Sequence, residues 1–302
     1  MNINTDTLAL FITVAESRSF TKASEQLFLT QPAVSKRIAQ LESTLNTKLF
    51  DRIGKQISLT EAGQALLPKA KALIIEMDDL VRTIGNLSGE VRGELNIGTS
   101  HHIGLHRLPP YLKTFQEQFN KVKLNIKFME SEQVYEQVKS GSLELGIVTL
   151  PETPDTQLAV TSLWKDSLSF MVNNEHPLAK NQTCQLDHLL SYPAILPESN
   201  TFTRKIVERI MASQSQTLDC GLSTNNLETI RMLTRIGLGW SVLPDTMHDH
   251  TLTQLKVLNT HISRELGAVY HKHRTLSNAA QKILLQLQRP TTQDSSELIP
   301  PT

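Results

Sequence analysis

The chain has 302 residues, 39% of them apolar and 20% charged. That excludes wholesale disorder and leaves room for two or more domains. Thirty Lys and Arg balance thirty Asp and Glu, so a uniformly cationic coat for a polyanion is excluded and any basic surface has to be local. Two cysteines, Cys184 and Cys220, exclude a disulfide framework and suit a reducing compartment. No stretch approaches the roughly 18 apolar residues of a membrane span, and the first basic residue is Arg18, so no basic leader is visible. The expectation is a soluble cytoplasmic protein with no membrane partner.

In chain order, "TDTLALFITVAES" (5–17) places Leu8, Phe11, Ile12 and Ala15 at helical spacing, with Thr5 or Asp6 available as a cap. A second short helix restarts behind Ser19 or Thr21 and carries Ala23 and Leu27. "FLT" turns the chain into a third helix, where Pro32 sits in the first turn and loses no hydrogen bond. This helix turns Val34, Ile38, Leu41 and Leu45 inward. Its other face shows Gln31, Ser35, Lys36 and Gln40. Such a face suits the major groove: Gln pairs with adenine, Lys with guanine, and Ser with either base or phosphate. "KLFDRIGKQISLT" then reads as two short strands around Gly54, with Arg52 and Lys55 projecting as in a wing that meets phosphates. Between Arg18 and Lys55, seven basic residues (Arg18, Lys22, Lys36, Arg37, Lys48, Arg52, Lys55) face three acidic ones (Glu25, Glu42, Asp51), a net of +4 in a neutral chain. A cationic head on a neutral body fits a nucleic-acid reader with a separate regulatory part.

From Thr60 to about Ile84 runs a long helix in which Leu66, Ala70, Leu73, Met77, Leu80 and Ile84 step by four and three. That heptad seam calls for a partner, most simply a second copy. Pro68 lies in its early turns, where a kink is expected. "GNLSGEVRG" follows as a hinge. Onward to about Leu287, short apolar strands alternate with helices, which predicts a largely parallel sheet in an α/β domain. The tail from Arg289, "RPTTQDSSELIPPT", is polar and Pro-rich, and disorder is expected for 291–302.

Four stretches, "LALFITVAESRSFTKASEQLFLTQPAVSKRIAQLESTLNTKLFDR", "SLTEAGQALLPKA", "GELNIGTS" and "GLGWSVLP", resemble the LysR-type transcriptional regulators. The resemblance spans residues 3 to about 287. It implies a winged helix-turn-helix (1–60), a linker helix and hinge (61–88) and an effector domain (89–290) like the periplasmic binding proteins. That domain comprises two α/β subdomains, 89–163 with 266–290 and 164–265, and the chain crosses between them near Ser162–Lys165 and Arg264–Gly267. It also implies homodimers or homotetramers on double-stranded promoter DNA and a small-molecule co-inducer. Position by position, the family's DNA contacts correspond to Thr30, Gln31, Pro32, Ser35, Lys36 and Arg37, with Arg52 in the wing.

For the effector, strand ends that open into helix N-termini are the natural binding positions. "NIGTSHHIG" offers Thr99, Ser100, His101 and His102, and "GIVTLP" offers Thr149. "LPESNTFTRK" offers Ser199, Asn200, Thr201 and Phe202, and "STNNLETI" offers Asn226. Asn225 with Glu228 three residues on is equally a capping box. The histidines suggest a carboxylate or amino-acid-related effector held by a protonatable ring. A metal is not expected: His101 and His102 are adjacent and point apart, and no cysteine is near. The motifs GxGxxG, GxxxxGK[ST], GxSxG and HExxH are missing, so neither an enzyme nor a bound cofactor is expected. The competing reading is an α/β small-molecule-binding protein or enzyme with no DNA-dependent role.

Overall fold

Asn4, rather than Thr5 or Asp6, opens the first helix: its side-chain oxygen accepts the Thr7 N–H at 2.9 Å. The computed structural model describes residues 3–53, 56–181, 183–213, 218 and 220–289, and the chain divides into two compact units at Ser88 and Gly89. Gly54, Lys55 and residues 290–302 lie outside the described residues.

In the first unit, α1 (Thr5–Ser17) buries Leu8, Leu10, Phe11 and Val14. α2 (Phe20–Gln26) is capped by Ser19, and α3 (Gln31–Leu45) by Thr30, with Pro32 in its first turn. β1 (Phe50–Ile53) and β2 (Gln56–Leu59) form an antiparallel hairpin in which Phe50 pairs with Leu59. The rings of Phe11 and Phe20 meet Phe50 at 5.4 and 5.8 Å, so the hairpin is anchored in the helical core. α4 (Glu61–Asn86) runs unbroken through Pro68. The Thr60 hydroxyl accepts the Gly63 N–H at 3.0 Å and donates to the Lys48 carbonyl at 2.7 Å. A Cβ on Gly63 would meet the Leu49 carbonyl oxygen at 2.2 Å, so only glycine lets α4 approach the wing this closely.

The seam on α4 divides in two. Leu66, Leu67, Ala70 and Ile74 pack into the helical core. Leu73, Met77, Leu80 and Ile84 are 58%, 48%, 58% and 62% exposed, so among the described residues of the first unit nothing covers this apolar stripe.

The second unit is one mixed sheet with helices on it. Its elements run β3 (Gly93–Thr99), α5 (His101–His106), α6 (Pro109–Gln118), β4 (Val122–Phe128), α7 (Ser131–Ser140), β5 (Leu145–Thr149) and β6 (Leu158–Asn173). They continue with β7 (Thr183–Cys184), α8 (Leu186–Leu189), β8 (Ala194–Leu196), α9 (Phe202–Ser213), β9 (Cys220–Ser223) and α10 (Leu227–Arg235), and end with β10 (Trp240–Pro244), β11 (Leu252–Val257), β12 (Ile262–His271) and α11 (Asn278–Leu287). The strand order is β4-β3-β5-β12-β6-β10-β8-β9, with β11 beside β6 and β7. β3 pairs in parallel with β4 and β5, and β8 with β9 and β10. The centre is antiparallel: β12 pairs with β5 and β6, and β6 with β10 and β11. The expected largely parallel sheet is thus corrected to two parallel flanks joined by an antiparallel pair. Each flank has its own core, one around Phe115, Leu145 and Ile283, the other around Val207, Trp240 and Val242. β6 and β12 are the two strands that pass from one α/β half to the other.

Candidate functional site

The outer face of α3 is free for a partner. Thr30, Gln31, Pro32, Lys36 and Arg37 are exposed and Ser35 is half-buried, while Val34, Ile38 and Leu41 are buried on the reverse. Gln31 donates from Nε2 to the Ser35 hydroxyl at 3.0 Å, which holds the two polar groups as a pair at the helix start. Arg52 lies on β1 beside Ile57 of β2.

Glu42 fixes α3 to the hairpin. The buried carboxylate accepts the Leu49 and Phe50 N–H groups at 2.9 and 3.3 Å and the Lys48 ammonium at 2.9 Å. Burial pushes its pKa up, but the Leu49, Lys48 and Phe50 bonds outweigh that and hold it below the usual carboxylate value. The Phe50 bond ties α3 to the first residue of β1.

In the second unit, a cavity of about 240 Å³ opens between the two halves, at the carboxyl ends of the parallel strands. Ser100, His101 and His102 reach it from the start of α5, Glu130, Ser131 and Glu132 from the start of α7, and Thr149 from the end of β5. Thr201 and Thr203 come from α9 and the turn before it, Asn225, Asn226 and Glu228 from the start of α10, and Arg264 from β12. Of the sequence candidates, Ser100, His101, His102, Thr149, Thr201 and Asn226 are therefore brought together. Thr99, Ser199 and Phe202 are not among the lining residues. Thr99 is fully buried and spends its hydroxyl on the Ile147 carbonyl at 2.9 Å. Ser199 is exposed. The Phe202 ring packs on Tyr135.

The helix starts are capped as the strand-end pattern requires. The Ser100 hydroxyl accepts the Ile103 N–H, and the Thr201 hydroxyl accepts the Arg204 N–H at 3.2 Å. Asn226 caps α10 by accepting the Thr229 N–H at 2.9 Å, whereas Asn225 accepts the Glu198 N–H at 2.9 Å. The capping-box reading of Asn225 is thus corrected by one residue. The two halves also meet in direct contacts. Glu132 accepts the Phe202 N–H at 2.5 Å, His106 faces Glu228 at 3.4 Å, and Arg209 pairs with Glu152.

Beneath the cavity the Arg264 Nε donates to Asp166 at 2.8 Å and its Nη1 to the Thr203 hydroxyl at 2.8 Å. Arg107 approaches the same carboxylate at 3.5 Å. His102 lies against this cluster, buried, and among the described residues neither ring nitrogen finds a hydrogen-bond partner. Burial, then the neighbouring Arg264 charge, lowers its pKa to about 3, so the ring is neutral at physiological pH. The expected contact through a protonated His102 is therefore corrected: the ring offers one N–H and one lone pair instead. Glu130 is shifted up by burial and by the Glu132 and Glu198 charges.

His101 stacks on Phe128 at 5.5 Å while His102 faces His106 at 4.8 Å, so the adjacent rings diverge. Among the described residues no group of three or more His, Cys, Asp or Glu could hold a metal ion. Sequence reasoning missed Glu130, Ser131 and Glu132, although they follow β4 as Ser100 follows β3. It also missed Arg264, which sits mid-strand with no local signal.

Two family models match the chain: the LysR substrate binding domain over residues 88–290, and the bacterial regulatory helix-turn-helix protein, lysR family, over residues 5–64. The chain belongs to the LysR family of transcriptional regulators. The LysR helix-turn-helix is its DNA-binding domain and the larger unit its effector-binding domain. An uncharacterized regulator from the ibpB-leuC intergenic region of Azotobacter vinelandii is 58% identical over 103 residues, 34% of this chain and 72% of that protein. The uncharacterized HTH-type transcriptional regulator YeiE of Escherichia coli K12 is 30% identical across 94% of this chain and 97% of its own length. The LysR-family fold is shared with full-length CbnR solved in complex with its target DNA, with a TM-score of 0.63, 18% identity, and coverage of 94% of this chain and 97% of that one.

Proposed function

We propose that this LysR-family regulator reads promoter DNA with the N-terminal half of α3 and changes that reading when a small amino-acid-related effector enters the cavity of the second unit. The observation that carries the DNA reading is the division of α3. Gln31, Lys36 and Arg37 are exposed beside a half-buried Ser35, while the opposite side is locked into the core by Val34, Ile38 and Leu41. In this reading Gln31, Ser35 and Lys36 meet base edges, Thr30, Pro32 and Arg37 lie along the groove wall, and Arg52 reaches a phosphate from the wing. The exposed stripe on α4 is covered by a second copy, giving the dimer from which a homotetramer is built. The working boundaries are 1–60 for the reader, 61–88 for the linker and 89–290 for the effector domain. The protein acts in the cytoplasm; among the described residues no helix is long and apolar enough to cross a membrane.

The cavity supports a zwitterion. Arg264 and the Ser100 hydroxyl suit a carboxylate, while Glu130, Glu132 and Glu228 suit an ammonium group. At about 240 Å³ the space takes a molecule at the small end of ordinary ligands. The test is thermal stabilisation of the purified chain by a panel of amino acids and the 2-hydroxy and 2-oxo acids of the same side chains. Stabilisation by an amino acid, reduced in Ser100→Ala, supports the site. Stabilisation by the oxo acids alone removes the ammonium from the account.

A further inference from the structure

α2 ends in a Schellman turn: the Leu29 N–H donates to the Ser24 carbonyl at 2.9 Å and the Phe28 N–H to the Glu25 carbonyl at 3.3 Å. The residue at the turn's left-handed position is Phe28, with φ +53°. Among the described residues, α3 and α10 end with the same pair of bonds. α3 places Asn46 at that position, with φ +51°, and α10 places Gly237, with φ +84°. Asn and Gly tolerate a positive φ, whereas a bulky side chain there is strained. The strained choice brings no packing in return, because Phe28 is 96% exposed while its neighbours Leu27 and Leu29 pack on the core. Two residues later Thr30 caps α3, the helix that carries Gln31 and Lys36. An aromatic ring kept in water, on a backbone that disfavours it, beside a DNA-reading helix, calls for an occupant outside the chain.

We propose that Phe28 is an apolar DNA contact: when the start of α3 enters the major groove, the ring packs on the deoxyribose faces of the strand at the groove edge. The occupant is duplex DNA because the ring is continuous with the polar face of α3. This deepens the recognition-helix reading and rests on it. A sugar contact adds affinity through buried apolar surface and displaces no counterions, whereas phosphate contacts such as that of Arg52 set the salt dependence.

The test uses the full chain and a fluorescent duplex taken from the DNA upstream of its own gene, titrated by anisotropy at several salt concentrations. Phe28→Asn is expected to bind about tenfold more weakly at every salt, since burial of one ring face is worth that much. The slope of log affinity against log salt stays that of wild type. The thermal midpoint is unchanged or higher, because Asn accepts the turn. Phe28→Tyr keeps the ring and binds within about twofold of wild type. The proposal is overturned if Phe28→Asn binds like wild type while Gln31→Ala does not, in which case α3 still reads DNA without help from the ring. It is also overturned if Phe28→Asn lowers the midpoint, which marks a folding role, or weakens self-association alone, which marks a contact between copies. Undiminished binding by Gln31→Ala and Lys36→Ala counts against the recognition-helix reading separately.

Discussion

Arg264 on β12 and Asp166 on β6 form a buried ion pair, with Nε to carboxylate at 2.8 Å and both side chains almost wholly out of solvent. The partners are 98 residues apart in the chain, and they stand on the two strands that connect the α/β halves. The pair therefore sits at the pivot of the domain and under the floor of the effector cavity. Thr203, which accepts from Arg264 at 2.8 Å, extends the connection to α9. Any movement of one half against the other has to carry or break this cluster.

Removing one partner leaves the other charged and buried, a change that costs about 3–5 kcal/mol. Asp166→Ala is expected to lose stability on that scale, because Arg264 and Arg107 are then left facing each other. Both tryptophans, Trp164 and Trp240, lie in the second unit, so urea unfolding followed by tryptophan fluorescence reports that unit directly. A loss below about 1 kcal/mol, the size of an exposed pair, contradicts the buried-cluster account.

His102 makes the same unit acid-sensitive. Its folded pKa of about 3 lies below the unfolded value of roughly 6.5, so between those values the unfolded chain binds the extra proton. Its contribution is fully present above pH 6.5 and is lost as pH falls toward 3, by up to about 1.4 kcal/mol per pH unit. Unfolding free energies measured between pH 7 and 4.5 should fall more steeply for wild type than for His102→Leu. Parallel acid limbs in the two proteins place the neutral ring in doubt.

Glu42 is the corresponding tie in the first unit. Glu42→Ala strands the Leu49 and Phe50 N–H groups inside the fold, at about 1–3 kcal/mol per unsatisfied group. The α3–wing spacing should loosen with it, so DNA affinity falls along with stability. Calorimetry beside a binding titration checks both. A stable variant with normal DNA binding shows that the wing does not need this anchor.

The exposed half of the α4 seam predicts dimerisation. A Leu80→Glu, Ile84→Glu double variant places two charges where a partner helix would pack. It should sediment as a smaller species than wild type at the same concentration, with its circular dichroism retained. Unaltered sedimentation assigns the dimer to another surface.

The parts most legible in the sequence were those whose signals are local. Pro32 marked the first turn of α3, Thr60 marked α4, and the apolar spacing of Val34, Ile38 and Leu41 gave the buried face and, by subtraction, the reading face. The strand-end rule found Ser100, Thr149 and Thr201. It missed Glu130 to Glu132, where Glu130 opens α7 without a side-chain cap bond of the kind that Ser100 and Thr201 make. The full length of β6 was not legible, since the burial of Leu158 to Lys165 alternates too irregularly to stand out. The parallel sheet was overcalled because β5, β6 and β12 pair across long separations that alternation of elements does not encode. The neutral state of His102 is likewise a product of folding: burial and the charge of Arg264 create it, and neither is visible from "SHHIG".

The central claim is that an uncharged-to-cationic face on α3 reads duplex DNA. It is tested most directly by anisotropy of the full chain on the duplex upstream of its own gene, comparing wild type with Lys36→Ala across a salt series. Wild type should bind with an affinity that falls steeply and linearly on logarithmic axes. Lys36→Ala should be weaker by about 1–3 kcal/mol if that ammonium meets a guanine edge, and the loss should shrink on a scrambled duplex. Equal binding by both proteins to both duplexes, at every salt, contradicts the account.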